Sequence, residues 1–413
     1  MKLHSIIAGI VWAAAAITAV GDSFQVETLA DTHAGEIVSL DETTLVAQTA
    51  QGIVETSIED LLELRCDDRT SAGSGAGEIV VELSDGSTVP FDSWRREGDA
   101  IHFKRIASGL RLTTSLDSLA CWRAMPISSD SEEQEWEAIR RSGLARDFVV
   151  IRRAMGDPLD YVEGAILDVS PDGVLFELDQ REVTVGWGRV FALVFARPPE
   201  TNDMATSVVL RGEGGLRFTA DRLELTGSML RGHAGADAAI TVDLSAVESL
   251  DFSQGKRHFL SDLEQLSVQW TPVNAPPRFP ELGLPRRDAD FSGNPITLRF
   301  SDDRLPGAWR LREFSRGIAM RSRTELTLAL PEGMNRLGAW VGVDPAASDA
   351  GAAEVSVLAD DVPLARFDVS GEDEPYRLSE TITGARRLTI VVDYGDNFDT
   401  GDLIHIADAC VTK

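Results

Sequence analysis

The chain is poor in the residues that carry most catalysis. Its 413 residues include three cysteines, Cys66, Cys121 and Cys410, and six histidines. No Cys-x-x-Cys pair and no Cys/His spacing suggests a zinc site. There is no His-Glu-x-x-His run for a zinc hydrolase and no Gly-x-Ser-x-Gly elbow for a serine nucleophile. One histidine, His4, falls beside an N-terminal apolar segment, which thins the supply for a Ser-His-Asp site. Cys66 and Cys121 could pair, and Cys410, near the end of the last strand, then reads as a small buried hydrophobe. A glycosidase needs two carboxylates about 5–10 Å apart. With 67 acidic residues some pair always meets that spacing, so the acids decide nothing. The expectation is that the protein is not an enzyme.

Positive charge is also scarce. Lys and Arg number 39 against 67 Asp and Glu, a net charge of -28. Such a field repels phosphate backbones, so nucleic acid is not an expected partner. It disfavours anionic membranes and highly sulfated polymers in the same way, and it keeps a protein soluble. Long hydrophobic runs are missing, with one exception. Ile6 to Val20 is apolar and Ala-rich, follows Met1-Lys2-Leu3-His4, and leads to Ala19-Val20-Gly21 before Asp22. A basic start, a short apolar run and small residues at the cleavage point make a signal peptide over residues 1–21. A spanning helix needs roughly 20 apolar residues; an uncleaved anchor is the alternative. The chain is therefore expected to be exported, whether periplasmic, cell-surface or secreted, with no membrane span beyond this segment.

What is present is 43% hydrophobic residues, enough for globular cores, arranged mostly as strands. From Phe24 to Phe252 one spacing recurs four times. Ile58, Leu61, Leu64 and Cys66 share it with Leu116, Leu119, Trp122 and Ala124, with Trp187, Val190, Leu193 and Phe195, and with Leu244, Val247, Leu250 and Phe252. The pattern i, i+3, i+6, i+8 reads as a short turn feeding a strand. Trp187 lies 129 residues after Ile58, and Leu244 lies 128 after Leu116. This spacing predicts two tandem small β-modules, residues 22–127 and 144–255, the second a duplicate of the first. Trp122 and Trp187 fill positions that Leu and Ile fill elsewhere, so they are expected in a core. Between the modules, 128–143 reads as a helical linker. Ser128-Ser129-Asp130-Ser131 can cap it, with acids early and arginines late as the helix dipole prefers. Ser71 to Gly77 is a Gly-rich loop without the Lys and helix of a phosphate cradle. Near Ser253 to Arg257 a second boundary falls. A proline-rich arm with Pro272, Pro276, Pro277, Pro280 and Pro285 follows, a composition that central strands avoid.

The last segment, 256–413, carries an ordered series of motifs. They run from Phe259-Leu260-Ser261-Asp262-Leu263 through Gly293-Asn294-Pro295-Ile296-Thr297-Leu298 and Arg316-Gly317-Ile318. Then come Ala339-Trp340-Val341-Gly342-Val343-Asp344, Gly384-Ala385-Arg386-Arg387-Leu388, Asp393-Tyr394-Gly395-Asp396, and Asp402 with Ala407-Asp408-Ala409. This series resembles the NPCBM family, carbohydrate-binding modules first described beside glycoside hydrolase family 98. The resemblance implies a galactose-binding-like β-sandwich, a jelly roll, and the alternating runs agree with a sandwich. The whole chain is thus expected to be mainly β, two tandem small modules followed by that sandwich. There are departures: Ala319 and Arg321 stand where the family has Gly and His, and Ile406 where it has Trp.

The resemblance implies a non-catalytic protein that binds a glycan or polysaccharide. Sugar binding needs an aromatic face and polar groups for the hydroxyls. The candidates are Trp309, Phe314, Arg321, Arg323, Asn397, Phe398 and His405, with Trp340 expected in the core. The acidic loop Asp393, Asp396, Asp399 and Asp402 is either a solvated turn or a calcium site. Loss of sugar binding at the altered positions would instead leave a structural or protein-interaction scaffold. The β-modules would then present the sandwich or contact other exported proteins.

Overall fold

A computed structural model describes residues 23–413, apart from 30, 67–78, 142–145, 153–158, 198–206, 236, 274–279, 303–306, 348–350, 396–397 and 399–400. The expected signal peptide and the Ser71–Gly77 loop lie outside the described residues. The rest is almost entirely β.

Residues 23–251 build four units. The first holds β1 (Ser23–Thr28), β2 (Thr32–Leu40), β3 (Thr44–Thr49), β4 (Gly52–Ser57) and β5 (Leu61–Cys66). The second holds β6 (Val80–Leu83), β7 (Thr88–Pro90), β8 (Ser93–Glu97), β9 (Ala100–Lys104), β10 (Arg111–Ser115) and β11 (Leu119–Arg123). After helix α1 (Asp130–Arg141), the third holds β12 (Asp147–Ile151), β13 (Asp160–Ser170), β14 (Gly173–Leu178), β15 (Arg181–Val185) and β16 (Val190–Val194). The fourth holds β17 (Val208–Gly212), β18 (Leu216–Ala220), β19 (Arg222–Thr226), β20 (Met229–Ala234), β21 (Ala238–Asp243) and β22 (Val247–Asp251).

One topology repeats in all four. The first strand of each unit pairs with both the second and the last, as β1 does with β2 and β5, and β12 with β13 and β16. Each recurring spacing is a one-turn bend that enters the last strand. The amides of Leu61 and Val190 donate to the carbonyls of Ile58 and Trp187 at 3.3 and 3.2 Å. Those of Leu119 and Val247 donate to Leu116 and Leu244 across 3-10 turns.

The closing strands do not stay within their modules. β11 pairs with β16, joining the second unit to the third. β5 pairs with β22, joining the first to the fourth. β7 meets β18, and β10 pairs with β21. The outcome is one sixteen-stranded sheet and a six-stranded sheet in the order β19-β20-β21-β10-β9-β8. The stretches 22–127 and 144–255 are therefore interleaved rather than side by side. The physical reason lies in strands such as β16, Val-Phe-Ala-Leu-Val, buried at four successive positions. A strand apolar on both faces needs cover on both, and a strand inside a sheet needs hydrogen-bond partners on both edges.

One core runs through all four units. Trp122 is 1% exposed and packs on Trp94, Phe103 and Trp187 at ring-centroid distances of 4.9, 4.9 and 5.1 Å. Trp187 is partly buried and donates Nε1–H to the Ser170 carbonyl at 2.8 Å. Helix α1 begins with a capping box: the Glu132 amide donates to Ser129 Oγ at 3.2 Å, and the Ser128 amide donates to the Glu132 carboxylate at 2.7 Å. Its Trp136 and Ile139 seal Phe191 and Cys121 on the β11–β16 junction. Cys66 and Cys121 do not pair, since five strands separate β5 from β11 in the sheet. Burial pushes the Cys121 thiol far up and the Cys410 thiol up to about 11, so both are inert at neutral pH.

The C-terminal domain opens with β23 (Arg257–Phe259), β24 (Gln265–Trp270), β25 (Arg286–Arg287), β26 (Ile296–Ser301), β27 (Trp309–Phe314) and β28 (Gly317–Arg321). It continues with β29 (Thr324–Ala329), β30 (Arg336–Val343), β31 (Ala352–Ala359), β32 (Val362–Ser370), β33 (Tyr376–Thr381), β34 (Arg387–Tyr394) and β35 (Leu403–Thr412). One sheet runs β25-β28-β35-β30-β33, with β23 added on β35; the other runs β24-β29-β34-β31-β32. Their facing residues, among them Ile318, Met320, Val341, Ile406, Leu326, Val355 and Ile390, form one core. The β26–β27 hairpin packs on the opposite face of the first sheet, where Ile296, Leu298 and Phe314 cover Ala319 and Ala407.

Candidate functional site

The hairpin and the outer sheet face make a wall, and the first unit faces it. Their junction is fastened at three points. Arg257 forms a fork with Glu27 at 2.9 and 3.0 Å. Lys256 Nζ donates to the carbonyls of Ile58 and Leu61 at 2.5 and 2.9 Å, and the Arg336 guanidinium donates to the Leu29 carbonyl at 3.0 Å. Between them lies a polar cleft of about 520 Å³.

Its charges fall into two groups. Some are already matched: Arg257 by Glu27, Arg65 by Glu63 at 2.6 Å, and Arg316 by Asp262 and Asp288. Burial raises the Glu63 carboxyl, and the Arg65 charge only partly offsets it. The others are not matched. The side chains of Arg312, Glu313, Arg377 and Asp408 line the cleft and form no ion pair or hydrogen bond among the described residues. Arg312 lies over Phe314 at 4.7 Å and Arg377 over Trp340 at 4.9 Å, contacts that hold a guanidinium in place while leaving its donors free. The cleft thus offers fixed donors, two acceptor carboxylates and aromatic edges side by side, the set that a polyhydroxylated ligand requires.

The sequence-predicted residues are spread around the domain. Phe314 lines the cleft but is 7% exposed and packs with Ile296 and Leu298. Trp309 stands on the outer side of the hairpin under Arg299, 4.6 Å from its ring. Arg321 lies over Phe291 at 4.3 Å, and burial together with the Arg286 charge lowers its pKa. Arg323 is 3.8 Å from Asp393. Phe398 is 67% exposed with φ of 64°. Asn397 lies outside the described residues. His405 is 1% exposed: its Nδ1–H donates to the Thr297 carbonyl at 2.7 Å, and Nε2 is 3.4 Å from Asp344. It clips the hairpin to β35 and is closed to a ligand.

Two carboxylates answer this histidine. Burial opposes ionisation of Asp344, but the His405 ring and the Ala346 amide outweigh it and hold its carboxyl below the ordinary range. Asp290 is lowered in the same manner, its burial outweighed by Asn294, Ser292 and His405.

The acidic loop is only partly described, because Asp396 and Asp399 lie outside the described residues. Asp402 is 2% exposed and accepts hydrogen bonds from Ser322 Oγ at 2.8 Å and the Ala352 amide at 3.1 Å. Asp393 accepts from the Tyr394 amide at 2.8 Å. Among the described residues no group of three His, Cys, Asp or Glu side chains could hold a metal ion.

The sequence reading missed Arg312, Glu313, Arg377 and Asp408, and placed Trp340 in the core. Trp340 sits mid-strand among apolar neighbours, yet it points to the outer face and is only partly buried under Phe300. The local signal was the charge of Arg312 and Arg377 within alternating strands. Ile406 faces the inter-sheet core, 1% exposed, so that departure is a packing change out of reach of any sugar.

No curated protein matches the chain. Among solved structures, a CBM51 module from Clostridium perfringens, in complex with methyl-galactose, is 22% identical. It covers 38% of this chain and 99% of that one, with a TM-score of 0.32. A structure of CBM51-2 and INT domains from Clostridium perfringens ZmpB is 19% identical, covering 52% of this chain and 45% of that one at a TM-score of 0.32. The tandem CBM51 modules of a family 98 glycoside hydrolase from Streptococcus pneumoniae are 11% identical, covering 81% and 88% at 0.33. Residues 256–412 match the family model of the NPCBM/NEW2 domain.

Proposed function

We propose that this is an exported, non-catalytic protein whose C-terminal domain, a galactose-binding-like jelly roll, binds a glycan in the cleft against the first unit. The observation that carries the reading is the unmatched set Arg312, Glu313, Arg377 and Asp408 beside Trp340. The match of residues 256–412 to a carbohydrate-module family supports the ligand class. Arginine and carboxylate side chains exchange hydrogen bonds with hydroxyls at fixed angles, and the half-buried indole offers an apolar edge to a sugar ring. The first β-unit supplies one wall of the cleft. Asp402 already accepts from Ser322 and Ala352, and the reading does not call on calcium.

The test is a glycan array on the full chain. Binding to a polysaccharide that Arg377→Ala or Trp340→Ala weakens about tenfold is the expected result. Silence of the wild-type chain across the array favours the second reading, a scaffold that has lost sugar binding. That reading is favoured by the loop end of the sandwich, where Arg321 is committed to Phe291 and His405 is buried.

A further inference from the structure

The exposed face of the six-stranded sheet carries a charge pattern opposite to that of the whole chain. Alternation puts Leu112, Phe103, Ile240 and Leu230 into the core, and their neighbours outward. Register then sets Lys104 opposite Arg111, Arg111 opposite Thr241, and Thr241 opposite Arg231. Adjacent strands are about 4.8 Å apart. Lys104, Arg111 and Arg231 therefore form a row across β9, β10, β21 and β20, over the seam between the second and fourth units. The next row carries Arg95, His102 and His233. Acids on this face are few: Glu97 pairs with Arg95 at 2.6 Å, Glu224 stands opposite Arg231, and Asp243 lies at one end.

Lys104, Arg111 and Arg231 are exposed, and their side chains form no ion pair or hydrogen bond among the described residues. A cavity of about 520 Å³ opens at this end of the face, lined in part by Arg95, His102, Lys104 and Arg111. Like charges directly opposite one another on a sheet are destabilising. In a chain with 67 carboxylates and a net charge of -28, an unmatched cationic row is a cost that a bound anion would remove.

We propose that this face binds a linear polysaccharide carrying carboxylates, of the polyuronate kind. Charge complementarity requires an anion, and a row spanning four strands fits an extended polymer. The chain's overall field selects among polyanions. A DNA duplex carries one charge per about 1.7 Å and meets the full repulsion of the remaining acidic surface. A polyuronate carries at most one charge per sugar, and its hydroxyls can pair with Thr241, which stands between Arg111 and Arg231. The site lies in a different region from the C-terminal cleft and stands independently of the reading given to that cleft.

The experiment measures binding of the full chain to polygalacturonate, to its methyl-esterified form and to a short DNA duplex, at low and moderate salt. The wild type should bind polygalacturonate, lose affinity as salt rises, and ignore the neutral ester and the DNA. Lys104→Gln with Arg111→Gln, and Arg231→Gln separately, should each weaken binding about tenfold. The melting temperature of the Lys104/Arg111 variant should be equal to or above that of the wild type, because a like-charge contact is relieved, and that of Arg231→Gln should stay close to it. Trp340→Ala, on the C-terminal domain, should leave this binding unchanged. No binding, equal binding of the ester, variants that bind like the wild type, or DNA bound as tightly as polyuronate would each overturn the proposal.

Discussion

In the C-terminal domain every described sheet strand pairs with neighbours from the same domain, and the sheet β24-β29-β34-β31-β32 buries one face. The burial patterns of β29, β31 and β34 alternate accordingly. In residues 23–251 the closing strands behave otherwise. β5, β11, β16 and β22 are buried at consecutive positions and pair across units. The contrast shows what a strand pattern can specify. A half-buried strand carries the instruction for its own sandwich. A strand buried on both faces carries only a demand for cover and leaves the partner to be chosen by the fold.

The strongest way to break this comparison is to divide the chain. Residues 256–413 alone should unfold in one cooperative thermal transition. Residues 22–127 alone should show none, because β5, β7, β10 and β11 would each lose a partner strand and expose an unpaired edge. A cooperative, monomeric 22–127 fragment would show that the interleaving is dispensable.

A smaller effect should follow from loosening the junction. Arg257→Ala removes the fork to Glu27, and hydrogen bonds between charged groups contribute about 1.5–3 kcal/mol each in favourable settings. With both side chains partly exposed the loss should fall at or below the lower end. Calorimetry should show the domain transitions moving apart, while an unchanged profile would mean that the domains do not stabilise one another.

The smallest effect concerns acid. Asp344 and Asp290 have folded-state carboxyls held below their ordinary value. Their contribution is present above the unfolded value of about 3.9 and is lost as pH falls through the folded value. The hairpin clip at His405 should therefore weaken at acid pH, seen as faster amide exchange in β26. Asp344→Asn should flatten this pH dependence, and an equally steep profile in that variant would remove Asp344 from the account.

Much of the architecture was legible locally. The i, i+3, i+6, i+8 spacing at Ile58, Leu116, Trp187 and Leu244 marked four turn-to-strand entries, and each is a bend held by one backbone hydrogen bond. The run Ser128 to Ser131 announced the start of α1 as a cap, and Ser129 with Glu132 provides it. The cleft was not legible. Arg312 and Arg377 lie on different strands of the C-terminal domain, while Glu27 and Glu63 belong to the first unit. Trp340 was misread because a mid-strand apolar neighbourhood does not say which face of the sheet a side chain takes.

Net charge was similarly incomplete. The sum of -28 is a property of composition, whereas the row Lys104, Arg111 and Arg231 exists only because β10 and β21 pair in one register. The sequence by itself determined the strands, their entry turns, the capped helix and a family-like C-terminal segment, since these follow from neighbours a few residues apart. The tertiary structure alone decided which closing strands pair, what faces Arg312 and Arg377, and where the scarce cations gather. Those choices depend on strand partners distant in sequence, and no local pattern encodes a partner.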